Sequence, residues 1–151
     1  MNKRRIGVRA IIWHEGKLLA VQHAAKDSKS KGYWVIPGGG LDPGESLEAG
    51  LERELMEELG VKAKVGRLLM IQQFHSGRAD CDEELEFFFL VVNREVFITI
   101  DTTGTSHGVD EIAACEFINP AGKPILPRIL GEIELEAYVK DIQPVLIANE
   151  L

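Results

Sequence analysis

The residues best suited to chemistry lie between Gly38 and Val61 of this 151-residue chain. Glu45, Glu48, Glu52, Glu54, Glu57 and Glu58 fall within fourteen residues there, with Arg53 the single basic residue among them. On a helix turning about 100° per residue, Glu54, Glu57 and Glu58 stand at i, i+3 and i+4, on one third of the circumference and within reach of one ion. Like charges so placed repel by about 0.2–0.5 kcal/mol per pair on a bare surface, and a hard divalent cation among them reverses the sign. A plain solvated acidic face has the same spacing, so the cluster takes its meaning from its surroundings. Immediately upstream, Pro37-Gly38-Gly39-Gly40 follows an apolar run. Glycines there open backbone conformations closed to other residues and bring carbonyl oxygens, further hard ligands, close to a bound group.

The elements that must position this stretch can be read on either side. Leucines at 47, 51, 55 and 59 recur in four-residue steps between Ser46 and Gly60. That pattern predicts a helix over Ser46 to Leu59 with Gly60 as its left-handed stop. Gly50 inside it costs about 1 kcal/mol relative to alanine, too little to undo so regular a pattern. Val8 to Trp13 and Leu18 to Val21, separated by His14-Glu15-Gly16-Lys17, predict a β-hairpin. Tyr33 to Ile36 predicts a short strand stopped by Pro37 and the glycines. Further strands are expected at Lys64 to Phe74, Leu85 to Val92, Val96 to Ile100 and Ile112 to Ile118, before a Pro-rich segment from Asn119 to Pro127. A last helix is expected from Pro127 or Arg128 to about Asp141, ended by Pro144. With no repeat or linker-like tract, this is an α+β arrangement in one domain spanning residues 1–151.

Composition narrows the partners. The chain is 45% hydrophobic and 27% charged, and 17 Lys+Arg against 24 Asp+Glu give a net charge of −7. Such a balance argues against a stable nucleic-acid complex, which needs many phosphates neutralised. Cys81 and Cys115 are too few for a disulfide framework and lack the CxxC spacing of a zinc or redox site. Lys3, Arg4 and Arg5 are not followed by an apolar signal core, and the longest apolar run, Phe87 to Val92, falls far short of the roughly 20 residues that cross a bilayer. A cytoplasmic location with no membrane partner is the expectation. The second acidic run, Asp80, Asp82, Glu83, Glu84 and Glu86, reads as a solvated loop rather than a second metal site.

Taken together, Gly39, Glu45, Arg53, Glu54, Leu55, Glu57, Glu58, Gly60 and Val61 spell G-x5-E-x7-R-E-U-x-E-E-x-G-U, where U is aliphatic. This resembles the Nudix box at all nine defined positions, a chance match on the order of one in a million for a chain of this length. On that motif the chain is identified as a member of the Nudix hydrolases, MutT-like in type. The resemblance implies an α/β/α sandwich with a central mixed β-sheet, a Mg²⁺ or Mn²⁺ cofactor, and hydrolysis of a nucleoside diphosphate linked to another moiety. It further implies that Glu54, Glu57 and Glu58, helped by the carbonyl of Gly38, hold the metal. Glu57, Glu54 and Arg53 are then catalytic. Glu45 pairs with Arg53 to tie loop to helix, and Gly39 and Gly60 are structural. Mg²⁺ suits an all-oxygen set and keeps several of its waters.

Outside the box, Glu111 is the preferred general base, ahead of Asp110 and Glu116. His23 is a candidate for phosphate contact, and Phe74, with His75, for stacking on a base; Trp34 reads better as core. Lys26, Lys29 and Lys31 either steer an anion or solubilise their loop. Ser76 and Gly77 stand where subfamily marks for ADP-ribose or diadenosine polyphosphates would fall, so a small nucleotide substrate is expected without a narrower class. Two rivals remain: a non-catalytic nucleotide-binding regulator, which usually loses box carboxylates that this chain keeps, and an RNA-decapping role, which would ask for a basic groove. A homodimer is an open possibility.

Overall fold

The computed structural model describes residues 3–23, 32–100 and 112–151. Its strands are β1 (Arg4–Ile11), β2 (Trp13–His14), β3 (Lys17–His23), β4 (Trp34–Val35), β5 (Gly38–Gly40), β6 (Val65–His75), β7 (Glu83–Val91), β8 (Ile112–Ile118), β9 (Ile125–Leu126) and β10 (Leu146–Glu150). Among the described residues two α-helices accompany them, α1 (Leu47–Leu59) and α2 (Leu135–Lys140).

The strands divide between two mixed sheets. The first runs β10-β6-β7-β1-β5, with β1 parallel to β7 and antiparallel to β5; the second runs β2-β3-β4-β9, with β8 also paired to β3. Successive residues of β1 and β3 feed two cores. Val8, Ala10, Leu19 and Val21 join Leu51, Leu55 and Leu59 of α1, whereas Ile11, Leu18 and Ala20 join Phe88, Met70, Leu130 and Leu135. Strands covered on both faces read as near-continuous apolar runs, which is why the sequence shows little alternation here. Helices therefore flank the sheet layers on opposite sides, the α+β sandwich expected.

Several elements differ from expectation. The apolar run Val8 to Trp13 is divided, because β1 ends at Ile11 and only Trp13 and His14 pair with β3 as a hairpin. Glu15 and Gly16 turn that hairpin with φ of 48° and 75°, the left-handed pair that a two-residue turn requires. The glycines after Pro37 do not merely stop a strand. They form β5, an edge strand on β1, since glycine lets the two backbones pair while α1 presses close. Val96 to Ile100 is no strand: Arg94–Phe97 forms a 3-10 turn in which Phe97 alone is buried. Asn93 holds it, its side-chain amide donating to Lys62 O at 2.9 Å while Oδ1 accepts from Lys64 N at 2.7 Å. The last helix is broken into a 3-10 turn, Arg128–Gly131, and α2. Gly131 sits where a Cβ would come within 3.0 Å of Pro120 O, so packing against the neighbouring loop overrides helix continuation. Finally, β10 follows Pro144 and pairs in parallel with β6, a long-range match with no local signature.

Candidate active site

Helix α1 is well bounded. Ser46 Oγ accepts from Ala49 N at 3.1 Å, and Gly60, at φ 67°, donates its N–H to Met56 O at 3.0 Å. With Leu51, Leu55 and Leu59 sealed in the core, the glutamates between them turn toward β5 and the loop that precedes the helix.

Arg53 joins that loop to the helix. Its Nε and Nη2 grip Glu45 at 2.8 and 3.0 Å, and Nη2 also reaches Gly40 O at 2.9 Å. Nη1 stands between two box carboxylates, 3.0 Å from Glu54 and 3.3 Å from Glu57. The two-pronged bond from Arg53, helped by the Asp42 amide, holds the Glu45 carboxyl below its ordinary range. Gly50 is not an idle helix glycine, since a Cβ there would meet Leu41 Cδ1 at 2.5 Å and Glu45 Oε2 at 2.9 Å. Its absence lets the loop lie against the helix.

The glycines of β5 are demanded by the same closeness. At Gly39 a Cβ would fall 2.3 Å from the Glu54 carboxylate, and at Gly38, with φ 143°, it would fall 2.1 Å from Val8 O. Glu58 is 8% exposed, and its Oε2 accepts from Gly38 N at 3.1 Å. On the other side of that residue, Gly38 O accepts from Arg9 Nη1 at 3.2 Å. Among the described residues no three His, Cys, Asp or Glu side chains stand close enough together to hold one ion, and Arg53 lies between Glu54 and Glu57.

The family model described as NUDIX domain matches residues 3–127. The chain belongs to the Nudix family. It is 40% identical over 137 residues to an RNA pyrophosphohydrolase of Erythrobacter litoralis, covering 82% of this chain and 79% of that one. It is 42% identical over 66 residues to a CTP pyrophosphohydrolase of Escherichia coli, where the match covers 44% of this chain and about half, 48%, of the relative. The solution structure of the E. coli ORF135 protein superposes with a TM-score of 0.64 at 26% identity, over 90% of this chain and 91% of that one.

In this Nudix chain the structure brings Gly38, Gly39, Glu45, Arg53, Glu54, Glu57 and Glu58 into one cluster, with Gly60 closing the helix behind them. Glu111 and Asp110, like Lys26, Lys29 and Lys31, lie outside the described residues, and Glu116 is exposed on β8. His23 and Phe74 fall on different sheets, His23 ending β3 and Phe74 in register with Glu84 on β7. Trp34 packs against the second core. Cys81 and Cys115 are free thiols, and burial, with the charges of Glu58 and Glu116, pushes Cys115 up to about 11.

The second acidic run is a solvated loop only at Asp80 and Asp82, which are exposed ahead of β7. Glu83, Glu84 and Glu86 belong to β7 and pair with Arg4 at 2.6 Å, Arg5 at 3.0 Å and Arg9 at 2.8 Å of β1. The signal available was the two-residue spacing of Arg5, Gly7 and Arg9 and of Glu84 and Glu86, which puts each set on one face of a strand.

Proposed function

We propose that this protein hydrolyses the pyrophosphate linkage of a nucleoside diphosphate joined to a further moiety, using Mg²⁺, with Mn²⁺ as a substitute. The observation that carries the reading is the packing of the Glu54 carboxylate on Gly39, at a distance any side chain there would forbid, beside Glu57 and Glu58 on the same turn. Glu54, Glu57, Glu58 and the Gly38 carbonyl would hold the cation. They supply hard oxygen donors, and Arg53 touches Glu54 and Glu57 through Nη1 alone while Nε and Nη2 stay on Glu45 and Gly40. A cation there would displace Arg53 Nη1 from the carboxylates and Arg9 Nη1 from the Gly38 carbonyl, while Arg53 Nε and Nη2 keep loop and helix joined. A cation held by these residues would supply the charge that offsets the pyrophosphate and lowers the pKa of an attacking water. Glu57 and Glu54 act in the reaction, Arg53 and Glu45 keep them placed, Glu111 serves as general base, and His23 and Phe74 contact substrate. Retention of every box carboxylate favours an enzyme over a nucleotide-binding regulator. The similarity to an RNA pyrophosphohydrolase supports a second substrate arm, a 5′-triphosphorylated oligonucleotide. Among the described residues no helix is long and apolar enough to cross a membrane.

The test is release of mononucleotide, pyrophosphate or phosphate from a panel of nucleoside triphosphates, nucleotide sugars, dinucleotides and that oligonucleotide. Turnover should need Mg²⁺, and Glu57→Gln or Glu58→Gln should lower it at least about 100-fold. Turnover indifferent to chelator, or none across the panel, would overturn the reading.

A further inference from the structure

Two guanidinium groups beside the box are held alike. Each uses Nε and Nη2 on an anchoring carboxylate and offers Nη1 to oxygens of the proposed cation site. For Arg53 the anchor is Glu45, and the oxygens are those of Glu54 and Glu57. For Arg9 the anchor is Glu86 Oε1, met by Nε at 2.9 Å and Nη2 at 2.8 Å, and the oxygen is Gly38 O, met by Nη1 at 3.2 Å. Arg53 belongs to the box motif, whereas Arg9 stands 29 residues before Gly38 and belongs to no part of it.

Strand pairing and burial fix that contact. Arg9 lies opposite Gly38 in the antiparallel register of β1 with β5, and a Cβ at Gly38 would fall 2.9 Å from Arg9 Cα. At its other end the guanidinium is pinned to Glu86, which is 5% exposed. Arg9 therefore keeps Nη1 within reach of Gly38 O. The Arg9 side chain is itself 20% exposed, so water only partly replaces a bond it gives up. Gly38 is gripped on both sides, since its N–H donates to Glu58 Oε2 at 3.1 Å while its carbonyl accepts from Arg9.

One oxygen cannot serve both groups well. A guanidinium nitrogen and a divalent ion on the same carbonyl would stand no more than about 5 Å apart, and like charges so close in a partly buried site repel. An arginine cannot shed its proton to relieve that repulsion, so it must let go of the oxygen instead. We propose that Arg9 is a positioning residue that competes with the cation for Gly38 O, holding that carbonyl through Nη1 until the cation takes it and thereby setting how tightly the cation is bound. The competition rests on the reading of Glu54, Glu57, Glu58 and the Gly38 carbonyl as the cation's ligands.

The test is Mn²⁺ affinity read by electron paramagnetic resonance, which needs no turnover. Arg9→Lys keeps the charge and can keep Glu86, but a lysine lacks the fork that spans Glu86 and Gly38 O together. It should tighten Mn²⁺ binding about 10-fold, the factor that one hydrogen bond to a charged group commands. Arg9→Met combined with Glu86→Leu removes both buried charges at once, which spares the fold an unpaired one, and should tighten binding likewise. Arg4→Lys is the control. Arg4 grips Glu83 Oε2 through the same two nitrogens, at 2.9 and 2.6 Å, on the same two strands but the opposite face, so its Kd should stay within about twofold of wild type. Mn²⁺ bound by wild type and lost in Glu54→Gln, with Kd unchanged or weaker in both Arg9 variants, would overturn the competition and leave the cation site standing. Tightening in both Arg9 variants without turnover on any nucleotide would sustain the competition and overturn the hydrolase. Binding by neither wild type nor either Arg9 variant would overturn both.

Discussion

Alanine at Gly39 separates the geometry of the site from the stability of the fold. Its Cβ would lie 2.3 Å from Glu54 Cδ and Oε2, where ordinary contact begins at 3.4 Å, so the carboxylate must retreat by 3.4 − 2.3, about 1.1 Å. The displaced atoms end a flexible side chain, which gives way at a cost of about 1 kcal/mol, or about 2–4 °C in Tm for a chain of this size. A catalytic group moved by about 1 Å loses about 100-fold in rate. Gly39→Ala should therefore keep the melting transition and lose about 100-fold in kcat, with Mn²⁺ affinity, read by electron paramagnetic resonance, falling in step. Gly38→Ala is the contrasting variant, because its Cβ would fall 2.1 Å from the backbone oxygen of Val8 at φ 143°. Backbone cannot swing aside as a carboxylate can, so the cost should be roughly 3 kcal/mol or more, about 6–12 °C. Steady-state kinetics at saturating Mg²⁺ and calorimetry check both. A Gly39→Ala enzyme with kcat within about threefold of wild type and unchanged Mn²⁺ binding would refute the placement of Glu54 in the reaction.

Other consequences follow from the ion pairs and thiols. The Glu45 carboxyl is held below its ordinary value by Arg53, so that contribution to stability is complete above the ordinary value of 4.5 and is lost as pH falls through the lowered one. The Tm gap between wild type and Arg53→Ala should accordingly be widest near neutrality and close as pH falls through the lowered Glu45 value, as thermal melts across pH would show; a gap constant with pH would mean that Arg53 stabilises by packing alone. Cys115, pushed up to about 11 mainly by burial, stays protonated at about pH 8. In a Cys81→Ser background, a chromogenic disulfide reagent should leave native Cys115 unlabelled and react only after denaturant is added; rapid labelling of the native protein would contradict its burial.

Helix α1, both its caps, the two-residue turn at Glu15-Gly16 and the grouping of Glu54, Glu57 and Glu58 were all determined by the sequence itself, because each depends on residues within a few positions of one another. Helical geometry converts that spacing directly into shared surface. Gly50 marks the boundary of such reasoning. Its propensity cost is local, but its purpose, room for Leu41 and Glu45, belongs to a loop folded back on the helix. Beyond that boundary only tertiary structure decided the outcome. Arg4, Arg5 and Arg9 meet Glu83, Glu84 and Glu86 across 79, 79 and 77 residues because β1 and β7 align in parallel. The interleaving of Arg53 among its glutamates, the 3-10 turn at Arg94–Phe97 and the parallel addition of β10 to β6 are likewise settled by packing. A period of two tells which face of a strand a residue occupies, but the neighbour it meets there depends on strand order and register, which are fixed by the energy of the whole assembled core.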